Sequence, residues 1–253
     1  MAAKNAPVAV FDSGVGGLSV LKELLVCCPN EHYLYFGDSA NAPYGEKSTE
    51  EVQRLTLHAA DMLLSRGAKA LVVACNTATA AAIILLRERY PDAVIIGIEP
   101  ALKVAADRFP RGNIGIMATA VTLREEKLAH QLERFPEAKV LRISAPGLVE
   151  LIEQGKVNAP ETEALLRKCL APYVGKLDAL VLGCTHYPFV RQTIAKILGD
   201  TVEILDGGEG TARHTRRRLE QAGLLCDGPG SVTIENSADR HKMLALSEKL
   251  LHL

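Results

Sequence analysis

The chain has 253 residues, 48% of them hydrophobic and 23% charged, with a formal net charge of −1. That balance describes a globular protein able to bury a core without disulfide or metal staples, and it excludes a broad basic footprint for nucleic acid or anionic lipid. No run is long and apolar enough to span a membrane, and the opening MAAKNAPVAVFDSG lacks a secretory pattern, so a cytoplasmic location is expected.

The first half alternates short apolar runs with amphipathic segments. PVAVFD (7–12) predicts a strand, GLSVLKELLVCC (17–28) a helix and HYLYFGD (32–38) a second strand. The next helix opens at Ser48, with Glu51 three residues on completing a capping box, and stops at Gly67. KALVVACN (69–76) reads as a buried strand, TATAAAIILLRERY (77–90) as a helix and AVIIGI (93–98) as a strand. A second set follows: NIGIMAT (113–119), a helix over 123–135, AKVLRIS (138–144), a helix over 161–174, DALVLGCTHYP (178–188) and TVEILDGG (201–208), then a helix near 211–223. Alternation of this kind predicts parallel sheets covered by helices on both faces. The basic run Arg213, Arg216, Arg217, Arg218, with Glu209 and Glu220 nearby, reads as a solvated helix face.

The two sets correspond. ALVVACNTAT (70–79) and ALVLGCTHYP (179–188) share a strand, a cysteine and a threonine-bearing turn; Cys75 and Cys184 lie 109 residues apart, and Ser13 and Thr119 106 apart. An internal duplication follows, giving two similar doubly wound α/β domains: residues 1–98 plus 207–253, and residues 99–206.

Chemistry-bearing residues gather at strand ends, where open α/β sheets bind ligands. Six cysteines are present without a CxxC pair, and free thiols are expected. Cys27, Cys28, Cys169 and Cys226 read as small buried hydrophobes. Cys75 and Cys184 differ: each follows a strand and precedes a turn toward a helix, where backbone N–H groups lower a thiol pKa. Asn76 and Thr77 follow the first, Thr185 and His186 the second. In FDSGVGGLS, Asp12 and Ser13 precede glycines, a pattern that fits an anion-binding turn or simply a tight one. A third loop, GDSANAPYGEK, presents Pro43, Tyr44 and Gly45. Cys184 and His186 are too close along the chain for a common zinc finger, and no fourth ligand is evident.

FDSGVGGLSV, GDSANAPYG, VVACNTATA and GCTHYPF together resemble, in order, the signature segments of the glutamate racemase family, within the wider aspartate/glutamate racemase group. The resemblance implies a two-domain protein with its active site in the interdomain cleft and a cofactor-independent reaction. It implies Cys75 and Cys184 as the paired thiols and Asp12 and His186 as their assistants. Cys75 then serves D-glutamate and Cys184 serves L-glutamate. Asp12, Ser13, Tyr44, Gly45, Asn76, Thr77, Thr185 and His186 are implied in substrate binding, with Pro43 and Thr119 added from the PYG loop and an ATxxT stretch. A homodimer supplying D-glutamate for peptidoglycan, without activation by a cell-wall precursor, is the corresponding expectation. The sequence departs from the family at Ser39 (Thr is usual), after Thr122 and at Glu150, where Pro is frequent. Two other readings stay open: a racemase for aspartate or another amino acid, and a binding protein of the same fold without turnover.

Overall fold

The computed structural model describes residues 3–98, 101–124 and 133–252. Among them, β1 (Val8–Asp12), β2 (His32–Gly37), β3 (Ala70–Val73), β4 (Val94–Gly97) and β9 (Ser231–Asn236) form one sheet in the order β4-β3-β1-β2-β9. A second sheet takes β5 (Asn113–Met117), β6 (Lys139–Ile143), β7 (Ala179–Leu182) and β8 (Glu203–Asp206) in the order β6-β5-β7-β8. All pairings are parallel. If β1 is matched with β5, β2 with β6, β3 with β7 and β4 with β8, the second sheet repeats the first, lacking only β9. Both are doubly wound α/β units.

The helices are α1 (Leu18–Cys27), α2 (Thr49–Ser65), α3 (Asn76–Arg89), α4 (Leu102–Arg108), α5 (Ala120–Arg124), α6 (Leu148–Glu153), α7 (Pro160–Leu170), α8 (Arg191–Leu198), α9 (Gly208–Gln221) and α10 (Arg240–Leu251). β1 is buried along its whole length, as a strand covered on both faces must be. Its alternate residues divide between two cores: Val8 and Val10 join one, Ala9 and Phe11 the other. The first core is shared by both sheets, uniting Val10 and Tyr35 with Met117 and Leu182, and reaches Leu219 and Met243 of the returning C-terminal segment. The second packs Phe11 and Val73 on Leu55 and Leu63 of α2 and Leu86 of α3.

At the strands' amino ends a buried ion pair ties the segments at Lys4 and at Leu224–Cys226 to the first sheet. Lys69 Nζ lies 2.5 Å from Glu31 Oε2, both side chains fully or almost fully buried. Lys69 also donates to the carbonyls of Leu224, at 2.8 Å, and of Lys4, while Glu31 Oε1 accepts from Cys226 N–H at 2.9 Å.

Several local expectations change. Ser48 caps α2, accepting from Glu51 N–H at 3.2 Å, but the Glu51 carboxylate turns to Arg54 instead of closing the capping box. Gly67, at φ +85°, does end the turn after α2. The helix expected over 123–135 begins earlier, at Ala120, and its stretch 125–132 lies outside the described residues. The short helices α4 and α6, the edge strand β9 and α10 were not anticipated. β9 follows Gly-Pro-Gly and exposes Ser231, Val232 and Thr233, so it carries little apolar signal.

Candidate active site

Parallel strands direct their carboxyl-end loops to one side of a sheet, and here the loops of both sheets meet. Cys75, Asn76 and Thr77 follow β3; Cys184, Thr185 and His186 follow β7; Ser13 follows β1; Thr119 follows β5; Pro43, Tyr44 and Gly45 come from the loop after β2. All of these line one cavity, together with Val149 of α6. Asp12 lies beneath it, fully buried. The free space is about 20 Å³, room for roughly one water molecule, so the two halves are closed on each other. Among the described residues, no lysine or arginine lines the space.

The two thiols have different surroundings. Cys75 is the N-cap of α3, its Sγ accepting from Ala78 N–H at 3.4 Å. The thiol lies 3.4 Å from Ser13 Oγ. Burial, joined by the Asp12 charge, pushes the thiol up to about 12, against the opposing pull of Ser13 and the Ala78 N–H. The expected helix N-terminus therefore exists here, but desolvation outweighs it. Cys184 has no such helix: the chain continues into a turn and a 3₁₀ segment over Tyr187–Val190. Its partner is His186, with Sγ and Nδ1 3.8 Å apart.

His186 is buried and leads to a carboxylate that the sequence reading did not single out. Its Nε2 lies 2.7 Å from Glu153 Oε1. Burial would lower the imidazole's pKa, but hydrogen bonds to Cys184 and Glu153, with their charges, hold it well above its ordinary value. Burial likewise acts to raise Glu153, but its bond to His186, the His186 charge, Val15 N–H and the Ser39 hydroxyl keep it below the ordinary carboxylate range. Glu153 Oε1 accepts from Val15 N–H at 2.7 Å and Oε2 from Ser39 Oγ at 3.0 Å.

The glycine-rich turn after β1 is thus an anion-binding turn whose anion is the protein's own carboxylate. A Cβ on Gly14 would fall 1.9 Å from Glu153 Oε1, and one on Gly16 2.4 Å from His186 Nδ1. At Gly16 the approach of the His186 and Thr185 side chains calls for glycine, whereas at Gly14 a side chain would oblige the end of Glu153 to withdraw.

Asp12 bridges the two halves. Oδ1 accepts from Gly14 N–H at 2.9 Å and Oδ2 from Thr185 Oγ at 2.9 Å. Burial raises its carboxyl above the ordinary value, with His186, Gly14 and Thr185 opposing. A second bridge is a trio of hydroxyls: Thr77 and Thr119 lie 3.1 Å apart, Thr119 and Thr122 3.1 Å, and Thr77 and Thr122 3.4 Å. Tyr44 donates to Asp38 Oδ2 at 2.7 Å, which steadies the PYG loop. Asn76 Oδ1 is buried with no hydrogen-bond partner among the described residues, the signature of a group that awaits a ligand donor. Among the described residues, no group of three or more His, Cys, Asp or Glu side chains is disposed to hold a metal ion.

Glu153 had a detectable signal. A histidine used in proton transfer needs an orienting partner, and APGLVELIE, after β6, is a strand-end loop of the second half that carries an acidic residue and has no other role. Its separation of 33 residues from His186 hides the pairing from local inspection.

Comparison with known proteins finds relatives along nearly the whole chain. A family model described as Asp/Glu/Hydantoin racemase matches residues 16–215. The chain is 49% identical over 252 residues to a glutamate racemase of Clostridium botulinum, covering 98% of each chain. It is 48% identical over 257 residues to one of Clostridium acetobutylicum, covering 100% of each. Among solved structures, a glutamate racemase isoform of Bacillus anthracis superposes with a TM-score of 0.88 at 33% identity, covering 99% of this chain and 95% of that one. The Francisella tularensis glutamate racemase in complex with D-glutamate superposes with a TM-score of 0.85 at 30% identity, with the same coverage.

Proposed function

The chain belongs to the Asp/Glu/hydantoin racemase family, and from that membership we propose that it interconverts L- and D-glutamate, with Cys75 and Cys184 as paired acid and base. The observation that carries this reading is the convergence of two thiols, from equivalent strand ends of the repeated halves, on one buried cavity.

Racemisation removes the α-proton from one face and returns a proton to the other. With D-glutamate the Cys75 thiolate takes the proton and the Cys184 thiol supplies one; with L-glutamate the roles exchange. The resting Cys75 thiol is held up to about 12, so substrate must help to ionise it. The ammonium group of glutamate does so, because a positive charge beside a thiol favours the thiolate. Asn76 Oδ1, unpartnered and buried, is the acceptor for that ammonium.

Removal of the α-proton drives charge into the substrate carboxylate. The described lining holds no lysine or arginine, so apart from the His186 imidazolium this charge falls to preorganised dipoles: N–H groups at the start of α3 and the hydroxyls of Ser13, Thr77, Thr119 and Thr185. One such donor is typically worth about 10²–10³ in rate. On the Cys184 side, ionised Glu153 holds His186 so that Nδ1 faces the sulfur, the orientation that stabilises a thiolate and returns its proton. Asp12 assists Cys75. Entry of glutamate requires the half formed by 1–98 and 207–253 to swing from that of 99–206.

Incubation of the protein with D-glutamate, followed by circular dichroism, tests the reading. The signal decays to zero as the racemate forms, while Cys75→Ser and Cys184→Ser each abolish turnover in both directions. A folded protein that leaves D-glutamate unchanged overturns the reading; turnover of aspartate instead reassigns the substrate. The same reading makes the protein a cytoplasmic homodimer that supplies D-glutamate for peptidoglycan, with the dimer open to sedimentation analysis.

A further inference from the structure

The C-terminal edge strand reaches the Cys184 side of the cleft through a run of hydrogen bonds. Asn236, the last residue of β9, donates from Nδ2 to Ser39 Oγ at 2.9 Å. Its Oδ1 accepts from Ala238 N–H at 2.9 Å, which fixes the orientation of the amide. Ser39 donates to Glu153 Oε2 at 3.0 Å; Glu153 Oε1 meets His186 Nε2 at 2.7 Å; His186 Nδ1 faces Cys184 Sγ at 3.8 Å.

The direction of this run follows from donor counting. A serine hydroxyl has one proton. With the Asn236 N–H already aimed at the Ser39 oxygen, that proton is left for Glu153. Without Asn236, the hydroxyl is free to turn, and Glu153 loses a fixed donor on the oxygen that does not meet His186. A carboxylate gripped at both oxygens has one orientation; gripped at one, it has several. The contacts of Cys75, with the Ser13 hydroxyl and the Ala78 N–H, involve none of these groups.

We infer that Asn236 is a positioning residue for the Cys184 half of the reaction, acting by locking the Ser39 hydroxyl as a donor to Glu153 and so holding His186 against Cys184. The inference rests on the two-thiol racemisation of glutamate proposed above. It gives the C-terminal segment, which lies beyond the residues 16–215 matched by the family model, a part in the chemistry of a thiol in the other sheet.

Because enantiomers are equal in energy, kcat/KM must fall equally in the two directions, and rates alone cannot tell the sides apart. Primary isotope effects can. Deuterium at the α-carbon of L-glutamate is removed by Cys184, and at that of D-glutamate by Cys75. Isotope effects on kcat/KM are measured with both α-deuterated enantiomers for the unaltered protein and for Asn236→Ala, Ser39→Ala and Ser39→Thr. Asn236→Ala and Ser39→Ala are expected to lower kcat/KM about tenfold, as loss of one charge-assisted hydrogen bond does. In both, the isotope effect rises with L-glutamate and falls with D-glutamate. Ser39→Thr, which keeps the hydroxyl, stays within about twofold of the unaltered rate and isotope pattern. An unchanged ratio of the two isotope effects overturns the inference, as does a Ser39→Thr variant as impaired as Ser39→Ala. Should Asn236→Ala fail to fold, Asn236→Asp, which keeps the acceptor for Ala238 N–H and loses the donor to Ser39, takes its place with the same isotope pattern expected and the same unchanged ratio overturning the inference. Failure of the unaltered protein to racemise glutamate overturns the underlying two-thiol reading instead.

Discussion

Thr185 donates its hydroxyl hydrogen to Asp12 Oδ2 at 2.9 Å, so the residue that follows Cys184 is bound to the carboxylate whose charge acts on Cys75. The two thiol environments are coupled through this bond. Thr185→Val keeps the shape and deletes the donor, leaving a fully buried carboxyl short of a partner. Stability is expected to fall by about 1–3 kcal/mol and kcat/KM by about 10²-fold, whereas Thr185→Ser stays near the unaltered protein. Urea denaturation and circular dichroism kinetics check the pair.

Gly14→Ala places a methyl group where Glu153 Oε1 now lies. Glu153 must withdraw, losing Val15 N–H and disturbing His186. Activity is expected to drop at least about tenfold, with a modest stability loss of roughly 1–3 kcal/mol from overpacking. Kinetics and thermal melting measure the two effects separately; unchanged activity contradicts the close approach described here.

Glu153→Gln tests the pH behaviour of His186. In the unaltered protein the imidazole's pKa lies well above its ordinary value, so the cation persists through neutral pH and is lost as pH rises. Removing the Glu153 charge removes one of the influences that raise it. The alkaline limb of kcat/KM is therefore expected to move to lower pH in Glu153→Gln, with a lower maximum. An alkaline limb that stays in place shows that another group controls it.

The Cys75 thiol, pushed up to about 12 by burial and by Asp12, contributes no thiolate near the ordinary thiol pKa of about 8.5. Ultraviolet thiolate absorbance of the unaltered protein and of Cys75→Ser should coincide at that pH in the absence of glutamate. Glutamate should produce a difference between them, because its ammonium group favours ionisation. A Cys75-dependent thiolate signal without glutamate refutes this assignment.

Lys69→Met strands Glu31 as a buried unpaired charge and releases the Lys4 and Leu224 carbonyls. Such disruption costs about 3–5 kcal/mol. The double variant Lys69→Met with Glu31→Leu is expected to recover part of that loss, since it removes the orphaned charge. Urea unfolding of the singles and the double provides the test.

The sequence exposes the parts of this architecture that are apolar and local. The strands of both halves are short buried runs bounded by helices, and the spacing of the cysteine loops reveals the repeat. The predicted site residues meet in one cleft because parallel strands direct their ends together. What escapes is long-range or polar. β9 is half exposed, and its six residues carry too little periodicity to announce a strand. Glu153 is one acidic residue among many until the fold sets it beside His186. Ser39, noticed only as a departure from the family, gains its meaning from Asn236, 197 residues away. Glu51 shows the opposite limit: the capping motif is legible, but Arg54 competes for the same carboxylate.

The repeated sheet order carries a consequence for handedness. Two domains built from L-amino acids are related by a rotation, never by a reflection, whereas the two substrates of a racemase are mirror images. Duplication alone could bring a thiol to each wall, but not an identical retinue, since identical surroundings would meet the two enantiomers in inequivalent ways. The divergence between the halves then follows from chirality: a helix cap and Asp12 attend one sulfur, an imidazole and Glu153 the other. An enzyme indifferent to the hand of its substrate is obliged to be lopsided itself.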